Sequence, residues 1–279
     1  MSTPRTVVIT GASSGIGEAT ALRLSKAGWK VLAGVRTSDD SARLRRESDG
    51  KIEPVALDVT EPMTILALVD QLDDRGLDGL VNNAGIAVSS PLEYLPIAEL
   101  RRQLEVNLVG QIAVTQAFLP QLRRARGRII NVGSIAGRSS LPFLGAYAAS
   151  KYALEAVTDA LRVEVRPFGI AVVILEPGTI ATPIWRKGAE TFERLSADWP
   201  AEFTALYGDR INDFREAARA AARRGVPADK VARTIEIALS AKRPKTRYLV
   251  GRDARRRARV EHLPDRLRDR AYERALFRA

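Results

Sequence analysis

The chain has 279 residues, 46% of them hydrophobic, enough to bury a full core and better suited to one large α/β domain than to two small ones. It has no cysteine and one histidine, His262, which rules out a disulfide framework and thiolate catalysis and leaves a zinc site almost without ligands. Of the net charge of +11, residues 252–279 carry +5, as ten arginines against five acids interleaved among them.

Residues 5–10 read as a short buried strand, followed by Gly11-Ala12-Ser13-Ser14-Gly15-Ile16-Gly17 and a helix ending near Gly28. That order suggests a phosphate cradle, because glycines admit a pyrophosphate close to the backbone and a helix N-terminus supplies exposed amides. The spacing is G-x-x-x-G-x-G, not G-x-G-x-x-G, and a glycine-rich stretch alone is more often only a turn. A second strand, 30–35, ends where an acid would take the ribose hydroxyls of NAD and a base the 2′-phosphate of NADP. Val35 and Arg36 stand there, which favours NADP(H); Asp39 and Asp40 keep NAD(H) open.

A charged helix at 39–48 leads to strand 53–57 and Asp58-Val59, where Asp58 is placed to bond an adenine amino group or to cap the next helix. Helix 62–74 and strand 79–81 follow, closed by Asn82-Asn83-Ala84-Gly85, whose small residues allow a flat ligand to approach or simply form a turn. Residues 97–122 carry a helical stripe of Leu100, Leu104, Leu108 and Ile112, with Pro120 expected to bend or end it. Asn107 lies inside this helix, an unfavourable place for a residue that competes for backbone bonds.

Strand 127–132 delivers Ser134, and a loop over 138–145 reaches a helix from Tyr147 to about Arg166. Tyr147 and Lys151 fall one turn apart on one face, a spacing that puts an ammonium beside a phenol and favours the phenolate. Chance alone gives such a pair an expectation of ~0.17, so it gains meaning only from its company. Strand 170–175 ends in Glu176-Pro177-Gly178-Thr179-Ile180-Ala181-Thr182, which aims backbone at the same sheet edge. Residues 183–224 form a long insertion with Trp185, Phe192, Trp199, Phe203, Tyr207 and Phe214, read either as a substrate lid or as packed helices whose aromatics serve the core. A helix at 227–240 and strand 247–250 complete a doubly wound parallel sheet of Rossmann type spanning residues 1–251. The basic extension 252–279 reads as a solvated or oligomer-facing helix; without aromatic platforms it is a poor nucleic-acid arm. The start of the chain shows no secretory pattern and no window is apolar enough to span a membrane, so a cytoplasmic location is expected.

Thr10 to Gly17, Asp58-Val59, Asn82 to Gly85, Asn107, Ser134, Tyr147 with Lys151, and Pro177-Gly178 through Thr182 resemble, in order and spacing, the short-chain dehydrogenase/reductase family over about residues 5–251. The resemblance implies hydride transfer between a nicotinamide and a carbinol carbon. Tyr147 would be the acid/base, Lys151 the group that binds the nicotinamide ribose and lowers the tyrosine pKa, and Ser134 the donor to the substrate oxygen. Asn107 would hold a water in a proton relay to Lys151. Gly11, Ser13, Ser14, Gly15, Ile16 and Gly17 would form the pyrophosphate turn, Asp58 and Val59 the adenine site, and Asn82 with Ala84 and Gly85 the ribose side. Pro177 and Gly178 would line the ligand edge, with Ile180 and Thr182 on the carboxamide. Residues 147–169 and 244–248 are similar to the hydroxysteroid and retinol dehydrogenase branch, which implies a small apolar alcohol or carbonyl substrate. The family also implies a homodimer or homotetramer built on the helices at 98–122 and 147–166. A dinucleotide-binding sensor acting through its tail is the alternative.

Overall fold

A computed structural model describes residues 4–72 and 75–277. The amino-terminal half runs β1 (Thr6–Ile9), α1 (Gly15–Lys26), β2 (Lys30–Val35), α2 (Ser38–Glu47), β3 (Ile52–Ala56), α3 (Pro62–Leu72) and β4 (Gly79–Asn82). The expected continuation of α3 through 73–74 lies outside the described residues. Then come α4 (Ile97–Leu104), α5 (Gly110–Ala125), β5 (Arg128–Val132), α6 (Gly145–Glu164) and β6 (Ala171–Pro177). The chain continues through β7 (Ile180–Ala181), α7 (Ile184–Ser196), α8 (Glu202–Arg223), β8 (Val226–Pro227), α9 (Ala228–Ser240), β9 (Arg247–Val250), α10 (Arg252–Val260) and α11 (Asp265–Leu276).

Seven strands form one sheet in the order β3-β2-β1-β4-β5-β6-β9, each neighbouring pair parallel. Strands covered on both faces need apolar side chains on both, and their alternation separates two cores. Val7, Ile9, Val31, Val81 and Ile130 face α1 and α9, where they meet Leu24, Val231 and Ile235. Val8, Leu32, Leu80 and Ile129 point the other way, onto Ile65 and Leu68 of α3 and Val114 and Phe118 of α5. The chain winds outward from β1 to β3 and then from β4 to β9, so the switch point lies between β1 and β4.

One expectation about the 97–122 helix, that Pro120 could end it, is corrected. Pro120 does not end it: α5 runs through to Ala125, where Arg126 closes it in the left-handed conformation with φ 51°. Fully buried Phe118 and Leu122 flank the proline, and burying each stabilises the helix by about 1.5–3 kcal/mol, enough to offset the lost backbone bond. A π-helical turn, Glu105–Val109, joins α4 to α5 and contains Asn107.

The insertion is α7 and α8, its two ends tied by β7 and β8 through the pairs Ile180↔Val226 and Ala181↔Pro227. Its aromatics largely pack on one another: Phe192, Trp199, Phe203 and Tyr207 cluster with Tyr94 and Phe143, Trp199 and Phe203 lying 4.3 Å apart between ring centroids. No described helix is long and apolar enough to cross a membrane. The tail is not simply solvated: Ala254 and Ala258 of α10 pack on Ile135 and Leu249.

Candidate active site

The carboxyl ends of β1 and β4 are stapled together by polar groups of the chain itself. Thr10 Oγ1 accepts from the N–H groups of Asn83 and Ala84, both at 2.9 Å, and Asn83 Nδ2 donates to the carbonyls of Thr10 and Gly11 at 3.0 Å. This holds the glycine turn against the Asn-Asn-Ala-Gly segment with no room for side chains. Gly11 has φ +62°, and a Cβ there would stand 2.8 Å from Ala84 Cα. A Cβ on Gly17 would overlap the Gly11 carbonyl oxygen and stand 2.5 Å from Asn83 Nδ2. Ser14, at the N-cap position of α1, makes no capping bond with its hydroxyl. The Ser13 carbonyl accepts from Arg43, which is also engaged by Glu18, Glu47 and Asp40. Across the turn, Thr182 Cγ2 would meet a Cβ on Gly15 at 3.0 Å, so the turn after β6 closes on the cradle.

Ser134, Tyr147, Lys151 and Asn107 converge on this same edge. Ser134 follows β5, with its hydroxyl accepting from the Ala136 N–H at 3.1 Å. Lys151 is buried; its Nζ donates to the Val132 carbonyl at 2.9 Å and lies 6.0 Å from the centroid of the Tyr147 ring. Burial lowers the Lys151 ammonium to about 8, with Glu155 opposing. Glu155 is itself pushed up to about 7 by burial and by Glu176, against the pull of Arg247. For Tyr147 burial raises the phenol, and the opposing influences are the Ser134 hydroxyl and the charge of Arg257.

Asn107, fully buried, pairs in both directions with the Ile86 backbone: Oδ1 accepts from its N–H at 2.9 Å and Nδ2 donates to its carbonyl at 3.0 Å. Nδ2 also donates to Ser150 Oγ at 3.0 Å, joining the π-helical turn to α6 beside Lys151. It is the middle member of a row. Gln103 takes the Val88 N–H and the Ile86 carbonyl, and Gln111 takes the Ala84 carbonyl, so amides at i, i+4 and i+8 grip the backbone of 84–88. Gly85 lies against Asn107, where a Cβ would stand 3.3 Å from Oδ1.

At the far end of the cleft, the exposed Arg36 side chain pairs with Asp58 Oδ2 at 3.7 Å. Burial would raise the Asp58 carboxyl, but bonds from the Thr60 N–H and hydroxyl, together with Arg36, hold it below the usual range. Asp40 is occupied by the Thr37 cap of α2 and by Arg43. Two expected contacts sit differently from the others. The Asn82 side chain is buried, donating to Thr115 Oγ1 at 2.8 Å and Asn131 Oδ1 at 2.9 Å, and Val59 is part of the core. Ile180 is likewise buried, its carbonyl accepting from Trp185 Nε1 at 2.8 Å. Pro177 is buried at the end of β6, and the Gly178 N–H donates to the Val250 carbonyl at 2.9 Å.

Side chains that motif reading did not single out complete the site from outside the core motifs. Asp253 Oδ2 accepts from the Thr179 N–H at 2.6 Å, and Arg257 donates to Ser139 in the loop between Ser134 and Tyr147. The pattern Asp253, Ala254, Arg257, Ala258 repeats at helical spacing and was the available signal, masked by the surrounding arginines.

A phosphate cradle at the switch point of a doubly wound sheet, with a serine, a tyrosine and a buried lysine on the same edge, defines a dinucleotide-binding α/β enzyme. The short chain dehydrogenase family model matches residues 5–192. The chain is 39% identical to 17-beta-hydroxysteroid dehydrogenase type 6 of Bos taurus, over 89% of this chain and 81% of that protein. It is 37% identical to retinol dehydrogenase 16 of Mus musculus over the same shares, 89% and 81%. Among solved structures, a short chain dehydrogenase from Burkholderia cenocepacia in complex with NADP superposes with a TM-score of 0.74 at 25% identity, covering 99% of this chain and 98% of that one. One from Burkholderia phymatum in complex with NAD gives 0.78 at 26% identity, covering 93% of each. The chain belongs to the short-chain dehydrogenase/reductase family, in the hydroxysteroid and retinol dehydrogenase-like branch, and is an NAD(P)-dependent oxidoreductase acting on CH–OH groups.

Proposed function

We propose that the protein interconverts an apolar secondary alcohol and its ketone, or an alcohol and its aldehyde, using NADP(H), with Tyr147 as the acid/base. The observation that carries this reading is the Ser134–Tyr147 hydroxyl pair on the edge where the glycine cradle and the buried Lys151 meet. A bound nicotinamide supplies the hydride donor or acceptor. The chain's own groups bind and orient. The cradle of Gly11, Ser13, Ser14, Gly15, Ile16 and Gly17 offers backbone amides to a pyrophosphate. Lys151 spends one donor on Val132, which leaves two for ribose hydroxyls. Asp58 Oδ2 serves the adenine. Asn82 and Val59 serve through their backbone, because their side chains are committed to the interior, and Ala84 and Gly85 border the ribose. Pro177, Gly178, Ile180 and Thr182 flank the carboxamide. The Asn107 amide is taken up by Ile86 and Ser150, so a relay water toward Lys151 falls to the backbone of the π-helical turn.

In reduction, Ser134 and Tyr147 hydroxyls polarise the carbonyl and stabilise the oxyanion as Tyr147 yields its proton. The steroid and retinol dehydrogenase relatives support a bulky apolar substrate. A panel of hydroxysteroids, retinol and aliphatic secondary alcohols, scored by cofactor reduction, is expected to give the highest kcat/KM on the bulky apolar members. Turnover confined to small polar sugars contradicts the substrate class.

The NADP(H) preference rests on Arg36, exposed at the ribose end, while Asp40 is consumed by its own helix cap. Arg36→Ala is expected to weaken NADP+ binding about 10–100-fold, the worth of a charged hydrogen bond, and to leave NAD+ nearly unchanged. Fluorescence titration of both cofactors checks it; equal losses for both, or a wild type that prefers NAD+, contradict it. Self-association on α6 and the helices at 98–122 is part of the same proposal, supported by exposed Val109 in the π-helical turn and Tyr152 and Val163 on α6.

A further inference from the structure

Three carboxylates converge on one guanidinium where α6, β6 and β9 meet. Arg247 of β9 donates from Nε and Nη2 to Glu155 Oε2 at 3.2 and 3.1 Å, and from Nη2 to Asp159 Oδ1 and Oδ2 at 2.7 and 2.6 Å. Its Nε also stands 3.3 Å from Glu176 Oε1 on β6. Glu155 and Glu176 thus each bring an oxygen to the same nitrogen atom. Two carboxylates held so close, away from water, resist ionising together.

Two of the three have a second cation. Half-buried Asp159 takes Arg162 Nη1 at 2.6 Å, and fully buried Glu176 takes Arg138 Nη1 at 3.2 Å. Glu155 has no cation but Arg247 within ion-pair distance among the described residues. Lys151, one turn before it on α6, spends its ammonium on the Val132 carbonyl. Glu155 is nevertheless buried, 8% exposed, and neither its Oε1 nor that of Glu176 has a hydrogen-bond partner. An ionised carboxylate only accepts, so an orphaned oxygen in the interior is costly. A proton on Glu155 Oε1 removes the charge that lacks its own partner and turns that oxygen into a donor. Burial and Glu176 favour the neutral carboxyl and push it up to about 7, with Asp159 adding to the rise and Arg247 opposing it.

The pair is built into the elements that carry the site. Lys151 and Glu155 are successive residues on one face of α6. A Cβ on Gly137, in the turn after Ser134, would lie 2.8 Å from the Lys151 carbonyl oxygen and 3.1 Å from Glu155 Cγ, so the glutamate stem packs directly on that turn. Glu176 immediately precedes Pro177 and Gly178.

We propose that Glu155 is a proton-binding site of the folded protein: with Glu176 it forms a buried carboxyl–carboxylate pair that holds one proton at and below neutral pH, and loss of that proton leaves a second negative charge between α6 and β6. The unfolded chain holds this proton only below the ordinary glutamate range, about 4.3. Folding therefore takes up a proton between that range and about 7: the stability this group contributes is complete at the acid end and is lost as the pH rises through about 7.

The test uses the full-length protein as wild type, Glu155→Gln and Glu176→Gln. Each is melted at a series of pH values from about 5 to about 9, and neutral carboxyl groups are followed over the same range by infrared difference spectroscopy. Glu155→Gln keeps a neutral donor of the same shape, so wild type is expected to lose about 5 °C in Tm relative to it between about pH 5 and 8, the gap then staying constant. A neutral-carboxyl band is expected in wild type at about pH 6, gone by about pH 8, and missing from Glu155→Gln throughout. Melting curves that run parallel at every pH, or a wild type without a titrating band, make Glu155 an ordinary ionised partner of Arg247 and overturn the inference. In Glu176→Gln the second negative charge is absent, so the band is expected to fade at a pH about one unit lower. Fading at the wild-type pH overturns the pairing, and this variant decides the matter if Glu155→Gln does not fold. If neither variant folds, the wild-type band decides alone. No turnover enters these readouts, so their outcome is separate from the acid/base reading of Tyr147.

Discussion

Tyr147→Phe is expected to lower kcat by about 10²–10⁴-fold, the usual worth of a positioned proton donor, while cofactor affinity stays within about twofold of wild type. The asymmetry follows from where the hydroxyl points. The Ser134 hydroxyl favours its ionised form, whereas the cradle, Lys151 and Asp58 are held by contacts that do not involve it. Removing one oxygen from a half-buried ring leaves α6 and its packing intact, so thermal stability is expected to change little. Cofactor titration and turnover measured on one preparation separate the two effects. Equal losses in both would mean that Tyr147 is a binding group and not the acid/base.

Gly17→Ala is expected to abolish cofactor binding and to destabilise the fold by about 1–3 kcal/mol, the cost of overpacking a filled site. The added methyl has nowhere to go. It meets the Gly11 carbonyl and the Asn83 amide, the same amide that staples the glycine turn to β4. Relief requires breaking that staple, which spreads the cradle and misaims its amides. Gly28→Ala serves as the control, because a Cβ there has nothing within 4 Å, although its φ of +83° carries a backbone cost of its own. Denaturant melts and cofactor titration check the pair. A Gly17→Ala protein with native affinity would mean that the turn does not hold the pyrophosphate.

The sheet was legible because most of its strands are rich in apolar residues and most are closed by glycine, proline, asparagine or aspartate, residues that mark strand ends whatever the distant contacts. The Tyr147 and Lys151 spacing was legible for the same local reason. What escaped depends on contacts far apart in sequence. Asn107 stood out as an anomaly in a helix, but its partner Ile86 and the flanking Gln103 and Gln111 emerge only once α4 and α5 lie over residues 84–88. Pro120 does not end the helix because a local rule was overridden by the burial of Phe118 and Leu122. Composition masked part of the tail: ten arginines read as a solvated or oligomer-facing helix, while Ala254 and Ala258 pack on Ile135 and Leu249, and Asp253 and Arg257 bond Thr179 and Ser139.

The most direct test of the account is to supply NADP+ with a panel alcohol deuterated at its carbinol carbon and to examine the reduced cofactor by mass spectrometry. Direct transfer predicts that the label appears in the reduced nicotinamide with wild-type protein and is lost with Tyr147→Phe. Reduced cofactor without label, or labelled cofactor formed equally well by Tyr147→Phe, would contradict it.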